Sequence, residues 1–445
     1  MRLIRTQTLT FSLFSLVCLA AGQSQVTITL PKAVELALEK NTAVIQSRNT
    51  VDAKQSSVTA AYGNLLPSVG LSGDWNQSTS DIAFLNGIEI PGGTSSTRNQ
   101  YSAGIGANWT LFNGFANTAT VNSARADASS SEFTSKRTDQ TVIYQTHQFF
   151  LNVVRTYELL KVNEDNLKRS QRQLERITES NKVGAVALAD VYRQRVQVGN
   201  DELALIQAQN NYEKAKADLL AHLAIDNDKD YVLDLSGIPT DIDTTEFAAV
   251  NAQYGSLGEL NRQALSARPD YNSALEGKNG ADALLTVARS AYYPSVTTSA
   301  SYGYDNSELS RLTDNKTLQF GVSIRYSLFN GFSTQQKTEQ AAVATKNAEE
   351  QLKQMQRSVQ VDVKKASLDL EAAEKQVTVT QTSVESAEMD RKIAEEKYNL
   401  GAGTLLDLLV ATANYTTTLS NKVNAVTGYL LAKKQMEYSV GTISQ

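Results

Sequence analysis

The stretch YSAGIGANWTLFNGF, Tyr101–Phe115, decides the reading of the whole chain. Its odd positions Tyr101, Ala103, Ile105, Ala107, Trp109 and Leu111 are apolar. Ser102, Gly104, Gly106, Asn108 and Thr110 between them are small or polar. That is the period of two of a strand with one apolar face. At Asn113-Gly114 the alternation stops, and the 70 residues Gly114–Val183 then hold no proline. The same sequence of events recurs further along. Leu318, Phe320, Val322, Ile324, Tyr326 and Leu328 alternate with Gln319, Gly321, Ser323, Arg325 and Ser327. Thr110-Leu111-Phe112-Asn113-Gly114-Phe115 returns as Ser327-Leu328-Phe329-Asn330-Gly331-Phe332, so that Phe112 recurs as Phe329, 217 residues on.

Gly184 and Asp190 match Gly401 and Asp407 at the same offset of 217. Upstream, Leu66-Pro67-Ser68-Val69 matches Tyr293-Pro294-Ser295-Val296 at an offset of 227, which predicts a loop ten residues longer in the first hairpin. Two copies of about this length are a duplication, not a short-repeat solenoid. The expected plan is a first repeat over 23–224, an irregular segment over 225–258 and a second repeat over 259–445. In the first repeat a helix over 31–62 precedes a β-hairpin near 66–112, a long helix over 114–183 and a return helix over 190–224. The second has a helix over 259–292, a hairpin near 294–329, a long helix over 331–400 and a return helix over 407–440. Strands near Val69–Trp75 and Val296–Tyr304 read as shorter and weaker than their partners.

Each long helix would span roughly 105 Å at about 1.5 Å per residue. Its apolar spacing is that of a coiled coil. Val359, Val363, Ala366, Leu370, Ala373, Val377, Thr380, Val384 and Ala387 step by alternating 4 and 3. Phe150, Val153, Tyr157, Leu160, Leu167 and Leu174 follow the same seam, interrupted at Glu164 and Gln171.

The first 22 residues read as a secretory signal peptide: basic Arg2 and Arg5, an apolar stretch Phe11–Ala21, and small residues at Ala20-Ala21-Gly22. Its removal takes the net charge from −5 to −7 and removes Cys18, the only cysteine. Val17 before that cysteine is too large for a lipidation site. An exported chain without disulfides must hold by packing or assembly. The acidic balance disfavours nucleic acid as a partner. With two His and one Cys, no catalytic residue, metal or cofactor is expected. Asp226, Asp228 and Asp230 resemble the start of a calcium loop, but Tyr231 and Gly237 stand where that loop needs Gly and Glu. His147 and His222 lack ligand-spaced neighbours and read as ordinary helix residues.

Alternating strands of about ten residues with aromatics near their ends suit an outer-membrane barrel, although a half-buried soluble hairpin has the same period. Four strands are too few to close one, since single-chain barrels have at least about 8. A membrane also forbids open sheet edges, so subunits must pool strands in a ring. The order signal, helix, hairpin, long helix, return helix, then all of it again, resembles the TolC family of outer-membrane efflux and secretion channels. The resemblance rests on Leu66-Pro67-Ser68 and Tyr293-Pro294-Ser295, the doubled Leu-Phe-Asn-Gly-Phe, and Arg268-Pro269-Asp270. It rests too on Val183-Gly184 with Asp190, and on Tyr398 and Gly401 with Leu405-Leu406-Asp407.

This resemblance implies a mainly α fold with membrane β: a homotrimer with a 12-stranded β-barrel continued by a coiled-coil α-barrel. It places the protein in the outer membrane of a Gram-negative bacterium, extending into the periplasm. It implies a non-enzymatic exit duct of a tripartite efflux or type I secretion system. The implied partners are outer-membrane lipid, a periplasmic adaptor (membrane fusion protein) and an inner-membrane ABC or proton-driven pump. A periplasmic coiled-coil spacer without transport is the alternative. By the same resemblance Tyr398, Asp190 and Asp407 are gate residues, and the tips Val183, Gly184, Leu188, Gly401 and Gly403 dock the adaptor. Gly403, Val410 and Ala189 depart from a well-known member, which has Arg, Asp and Thr there.

Overall fold

The computed structural model describes residues 27–85, 88–226, 231–243 and 245–444. The expected signal peptide, 1–22, lies outside the described residues. The first repeat runs β1 Thr27–Ile28, α1 Leu30–Lys40, α2 Thr42–Gly63, β2 Ser68–Leu85, β3 Ile88–Asn113, α3 Ala116–Lys182 and α4 Leu188–His222. After β4 Val232–Leu233 and α5 Thr245–Tyr254 comes the second: α6 Leu257–Ala267, α7 Pro269–Arg289, β5 Ser295–Asn306, β6 Lys316–Arg325, α8 Ser333–Asn399 and α9 Leu405–Val440.

Four expectations need correction. The opening helix of each repeat is in two pieces. Asn41 is extended, and its Oδ1 caps α2 by accepting from Ala43 N at 2.9 Å. Pro269 sits at the start of α7, which forces Arg268 before it out of helical geometry. The extra length of the first hairpin is strand, not loop: β2 and β3 have 18 and 26 residues, with a bulge between Ile82 and Phe84. β6 ends at Arg325, so Tyr326 and Leu328 lie beyond the sheet. Between the repeats, 225–258 is less irregular than expected. There β4 pairs in parallel with β1, and α5 adds Phe247 and Val250 to a core. The aspartate run falls largely outside the described residues.

The four long strands form one antiparallel sheet in the order β2-β3-β5-β6. Its register aligns the alternation of every strand. Leu71 faces Ile105, Ile105 faces Tyr302, and Tyr302 faces Leu318; Val69, Ala107, Ala300 and Phe320 form the next apolar row. The opposite face carries Gly70, Gly106, Ser301 and Gln319, then Ser72, Gly104, Gly303 and Thr317. A Cβ on Gly104 or Gly303 would stand 3.1 Å from a carbonyl oxygen across the pair, so the strands approach there as only glycine allows.

The Asn-Gly-Phe motif is the corner from sheet to long helix. Gly114 and Phe115 both have left-handed backbone, as do Gly331 and Phe332. Asn113 Oδ1 accepts from Asn117 N at 3.2 Å, and Asn330 Oδ1 from Thr334 N at 3.4 Å. Each asparagine thereby satisfies a free donor of the helix start. Phe112 meets Phe115 edge-on at 5.4 Å, and Phe329 meets Phe332 at 5.5 Å.

α3 and α8 have 67 residues each. Two apolar cores hold them at mid-length. One packs Phe150, Val153 and Val154 of α3 with Leu219 of α4 and Val34 and Val44 of the opening helices. The other buries Val359, Val363, Ala366, Leu370, Ala373 and Val377 of the expected seam against Val426, Tyr429 and Met436 of α9. Thr380, Val384 and Ala387 continue the seam only half-buried. His147 and His222 are helix residues of the first repeat; His147 Nδ1 bonds Ile143 O at 2.9 Å.

Arg268-Pro269-Asp270 ties the repeats together at this level. The Arg268 guanidinium, its side chain 4% exposed, donates to Asp270 at 2.6 Å and to Asp362 of α8 at 3.0 Å. Arg137 of α3 donates to Tyr438 O of α9 at 3.0 Å and lies 3.6 Å from Asp270. Among the described residues no helix is long and apolar enough to cross a membrane.

Candidate functional site

The expected gate and docking residues gather where the long helices turn back. Both turns are built the same way. Gly184 N donates to Asn181 O and Ala185 N to Ser180 O, each at 2.9 Å. Gly401 N donates to Tyr398 O at 3.1 Å and Ala402 N to Lys397 O at 2.8 Å. This paired pattern needs a left-handed residue, supplied by Gly184 (φ 77°) and Gly401 (φ 73°). Val183 and Leu400, just before the glycines, are 81% and 79% exposed, and Leu188 and Leu406 are exposed beside them. The four make an apolar rim on the tips. Leu406, named in sequence only as part of Leu405-Leu406-Asp407, joins the expected docking residues; an apolar residue flanking a glycine turn is the signal for it.

The two turns then differ. Thr404 and Asp407 form a capping box on α9: Thr404 Oγ1 accepts from Asp407 N at 3.2 Å and Asp407 Oδ2 accepts from Thr404 N at 3.1 Å. The Thr404 hydroxyl also donates to the same carboxylate at 2.7 Å. These bonds hold the Asp407 carboxyl below its ordinary value. In the first repeat Ala187 stands where Thr404 does and offers no side-chain cap. Asp190, the counterpart of Asp407, instead accepts from Arg193 at 2.9 Å. Gly403 has its own steric reason. A Cβ there would lie 3.0 Å from Lys397 Cβ and 3.3 Å from Tyr398 N, so the turn is folded back onto the end of α8.

Tyr398 packs in a small cluster with Ile177, Val191 and Leu405, near Val186 and Leu409. Its hydroxyl oxygen is buried and bonds no group among the described residues. Burial, and then the nearby Asp190 carboxylate, raise that hydroxyl above its ordinary value. The structure therefore brings Tyr398 and Asp190 into one neighbourhood, while within one chain the carboxylate is bonded to Arg193. Asp407 is exposed at the start of α9, with Val410 exposed one turn further on. Two inter-element contacts here were not foreseen. Arg176 of α3 pairs with Glu395 of α8 at 2.7 Å, and Thr416 of α9 donates to Asn166 of α3 at 2.9 Å.

The model of the outer membrane efflux protein family matches residues 33–224 and 260–442. The outer membrane protein TolC of Vibrio cholerae is 24% identical over 410 residues, covering 88% of this chain and 86% of the relative. The crystal structure of the Campylobacter jejuni CmeC outer membrane channel superposes with a TM-score of 0.77 at 21% identity, over 93% of this chain and 85% of that one. The outer membrane protein VceC of Vibrio cholerae gives 0.78 at 18% identity, over 93% and 96%. The last two likenesses concern the fold. The family model spans both repeats, and the chain belongs to the outer membrane efflux protein family, a family of outer-membrane channels and not of enzymes.

Proposed function

We propose that this member of the family is the outer-membrane exit duct of a tripartite export system. Three copies of the four-stranded sheet pool into a 12-stranded barrel, and the long helices continue it as a tunnel through the periplasm. A periplasmic adaptor docks on the apolar tips, and an ABC or proton-driven pump of the inner membrane supplies the energy. The duct itself is passive.

The observation that carries this reading is the sheet. Its register collects the apolar residues of four strands on one face and small or polar residues on the other, and among the described residues its edge strands β2 and β6 have one unpaired side each. In a bilayer those edges must pair, and each can pair only with another copy. Further support comes from Tyr192, Val196, Leu203 and Ile206 of α4, which form an exposed apolar stripe. Tyr398, Asp190 and Asp407 then form a gate at the tips. Three copies of Asp407 around a narrow axis would attract cations, and Val410 would form an apolar collar below them.

Charge on a lipid face at mid-bilayer costs about 2–4 kcal/mol. Ile324 shares the apolar face and Ser323 the opposite one. Ile324→Arg should therefore reduce the yield of cross-linkable trimer in outer membranes well below that of Ser323→Arg. Equal yields, or cross-linking of the purified protein that stops short of three subunits, would sink the barrel reading.

A further inference from the structure

The four long helices line a half-open cavity of about 490 Å³ above the tip turns, with Arg169, Arg172, Arg176 and Arg391 against Asp201 and Glu395. Both carboxylates are already engaged. Glu395 accepts from Arg176 at 2.7 Å and from Arg391 at 2.8 Å. Asp201 accepts the amides of Asn166 and Gln197, each at 2.9 Å. Among the described residues no carboxylate forms an ion pair with Arg169. Its guanidinium stands 5.6 Å from the Tyr415 ring centre, and that of Arg391 stands 5.3 Å from the same ring. Nε and Nη2 of Arg169 and Nε of Arg391 are buried and donate to no group among the described residues. Gln194, 1% exposed, lines the same cavity and is fixed by donating to Ser170 O and Oγ at 3.0 and 3.1 Å. The walls are thus built rather than loosely solvated.

A guanidinium stays protonated in a protein, so burial leaves it with a charge and not a neutral alternative. Burial lowers the pKa of Arg169, and the Arg391 charge adds to this against the opposing pull of Tyr415, Asp165 and Asp201. A half-buried charge whose donors lack acceptors is costly, and the compensation is an anion that offers two oxygens to the guanidinium fork. We propose that this cavity binds a small oxyanion, inorganic phosphate or a carboxylate of similar size, between Arg169 of α3 and Arg391 of α8. The space suffices for such an ion with several waters, each needing about 30 Å³. Because the two arginines belong to different repeats, an occupied site ties the first helix pair to the second close to the tips. The site lies within one protomer and does not depend on the trimer reading.

The test uses the full-length protein purified in detergent, titrated calorimetrically with inorganic phosphate at constant ionic strength. The expected result is one site per protomer. Arg169→Gln should weaken it at least about tenfold, the usual scale for losing a charge-assisted bond to an anion. Lys168→Gln, at an exposed position outside the cavity lining, should change it less than about twofold, since an exposed charge away from the ion is screened. Without phosphate, Arg169→Gln should melt close to the parent, because the half-buried charge it removes makes no ion pair among the described residues. Arg391→Gln provides a second weakening variant. Absence of binding to the parent protein overturns the proposal and points to a carboxylate of a neighbouring copy in the cavity. Equal affinity in parent and Arg169→Gln, or equal losses in Arg169→Gln and Lys168→Gln, also overturns it, the ion then being held by surface charge alone.

Discussion

The middle and the tip of the same long helices are built to different standards. At mid-length two large apolar cores close around α3 and α8, and Arg268 is buried between two carboxylates from different elements. At the tip the packed cluster contains three buried residues, Ile177, Val191 and Leu405. Around it stand an exposed apolar rim, an arginine-lined cavity and a tyrosine hydroxyl without a partner among the described residues. Cooperative stability follows buried contacts, so the middle is the fixed frame and the tip is the part able to rearrange at low cost. In a passive duct opened from the periplasm, that is the distribution a gate at the tip requires.

The contrast can be broken by substitution. The largest effect is expected at the frame. Arg268→Ala leaves Asp270 and Asp362 without their main partner and should lower stability by about 3 kcal/mol, read as a lower urea midpoint of the helical circular-dichroism signal. This is the low end for a broken buried pair, because Arg137 remains beside Asp270. A loss below about 1 kcal/mol would mean that the repeats are joined elsewhere. Next comes the turn. Gly401→Val forces a branched residue to a φ of 73°. It should cost about 1–2 kcal/mol locally and abolish export while trimers remain, as assayed by cargo release and cross-linking side by side. Normal export would place docking away from this tip.

Smaller effects sharpen the comparison between the two turns. Thr404→Ala removes the capping box and should cost about 1 kcal/mol, whereas Ala187→Thr, which creates its missing counterpart beside Asp190, should gain part of that amount. No difference between the two substitutions in thermal melting would show that the caps are energetically idle. Smallest of all, Arg176→Ala breaks a half-exposed pair with Glu395 and should change stability by less than about 1 kcal/mol. A loss as large as that of Arg268→Ala would erase the distinction between frame and tip.

Much of this architecture was legible because periodicity and duplication reinforce each other. The alternation at Tyr101–Leu111 and Leu318–Ile324 marks strands, and the 4–3 seam from Val359 to Val377 is buried at each step. The boundaries that failed were set by single side chains. Asn41 and Pro269 interrupt helices whose composition reads as continuous, since a cap or a missing N–H outweighs several good helix formers locally. The strand partners in β2 looked weak because much of their sequence is polar, yet pairing with β3 is set by the ladder and not by propensity. At the tips the sequence identified the glycines and the acids by position. The spacing Thr404-x-x-Asp407, absent at Ala187, is a capping-box signal in the sequence, but the pairing of Asp190 with Arg193 is seen only in the structure. Nor could the sequence show that Arg169 and Arg391, 222 positions apart in the chain, converge on one aromatic ring.

The most direct test of a duct gated at the tip is single-channel conductance of the purified protein in planar lipid bilayers. The parent protein should form discrete pores of low conductance, and the double variant Tyr398→Phe with Asp190→Ala should open to a several-fold higher conductance at unchanged trimer yield. Conductance that is identical in the two proteins, or no pores from either, would contradict the account.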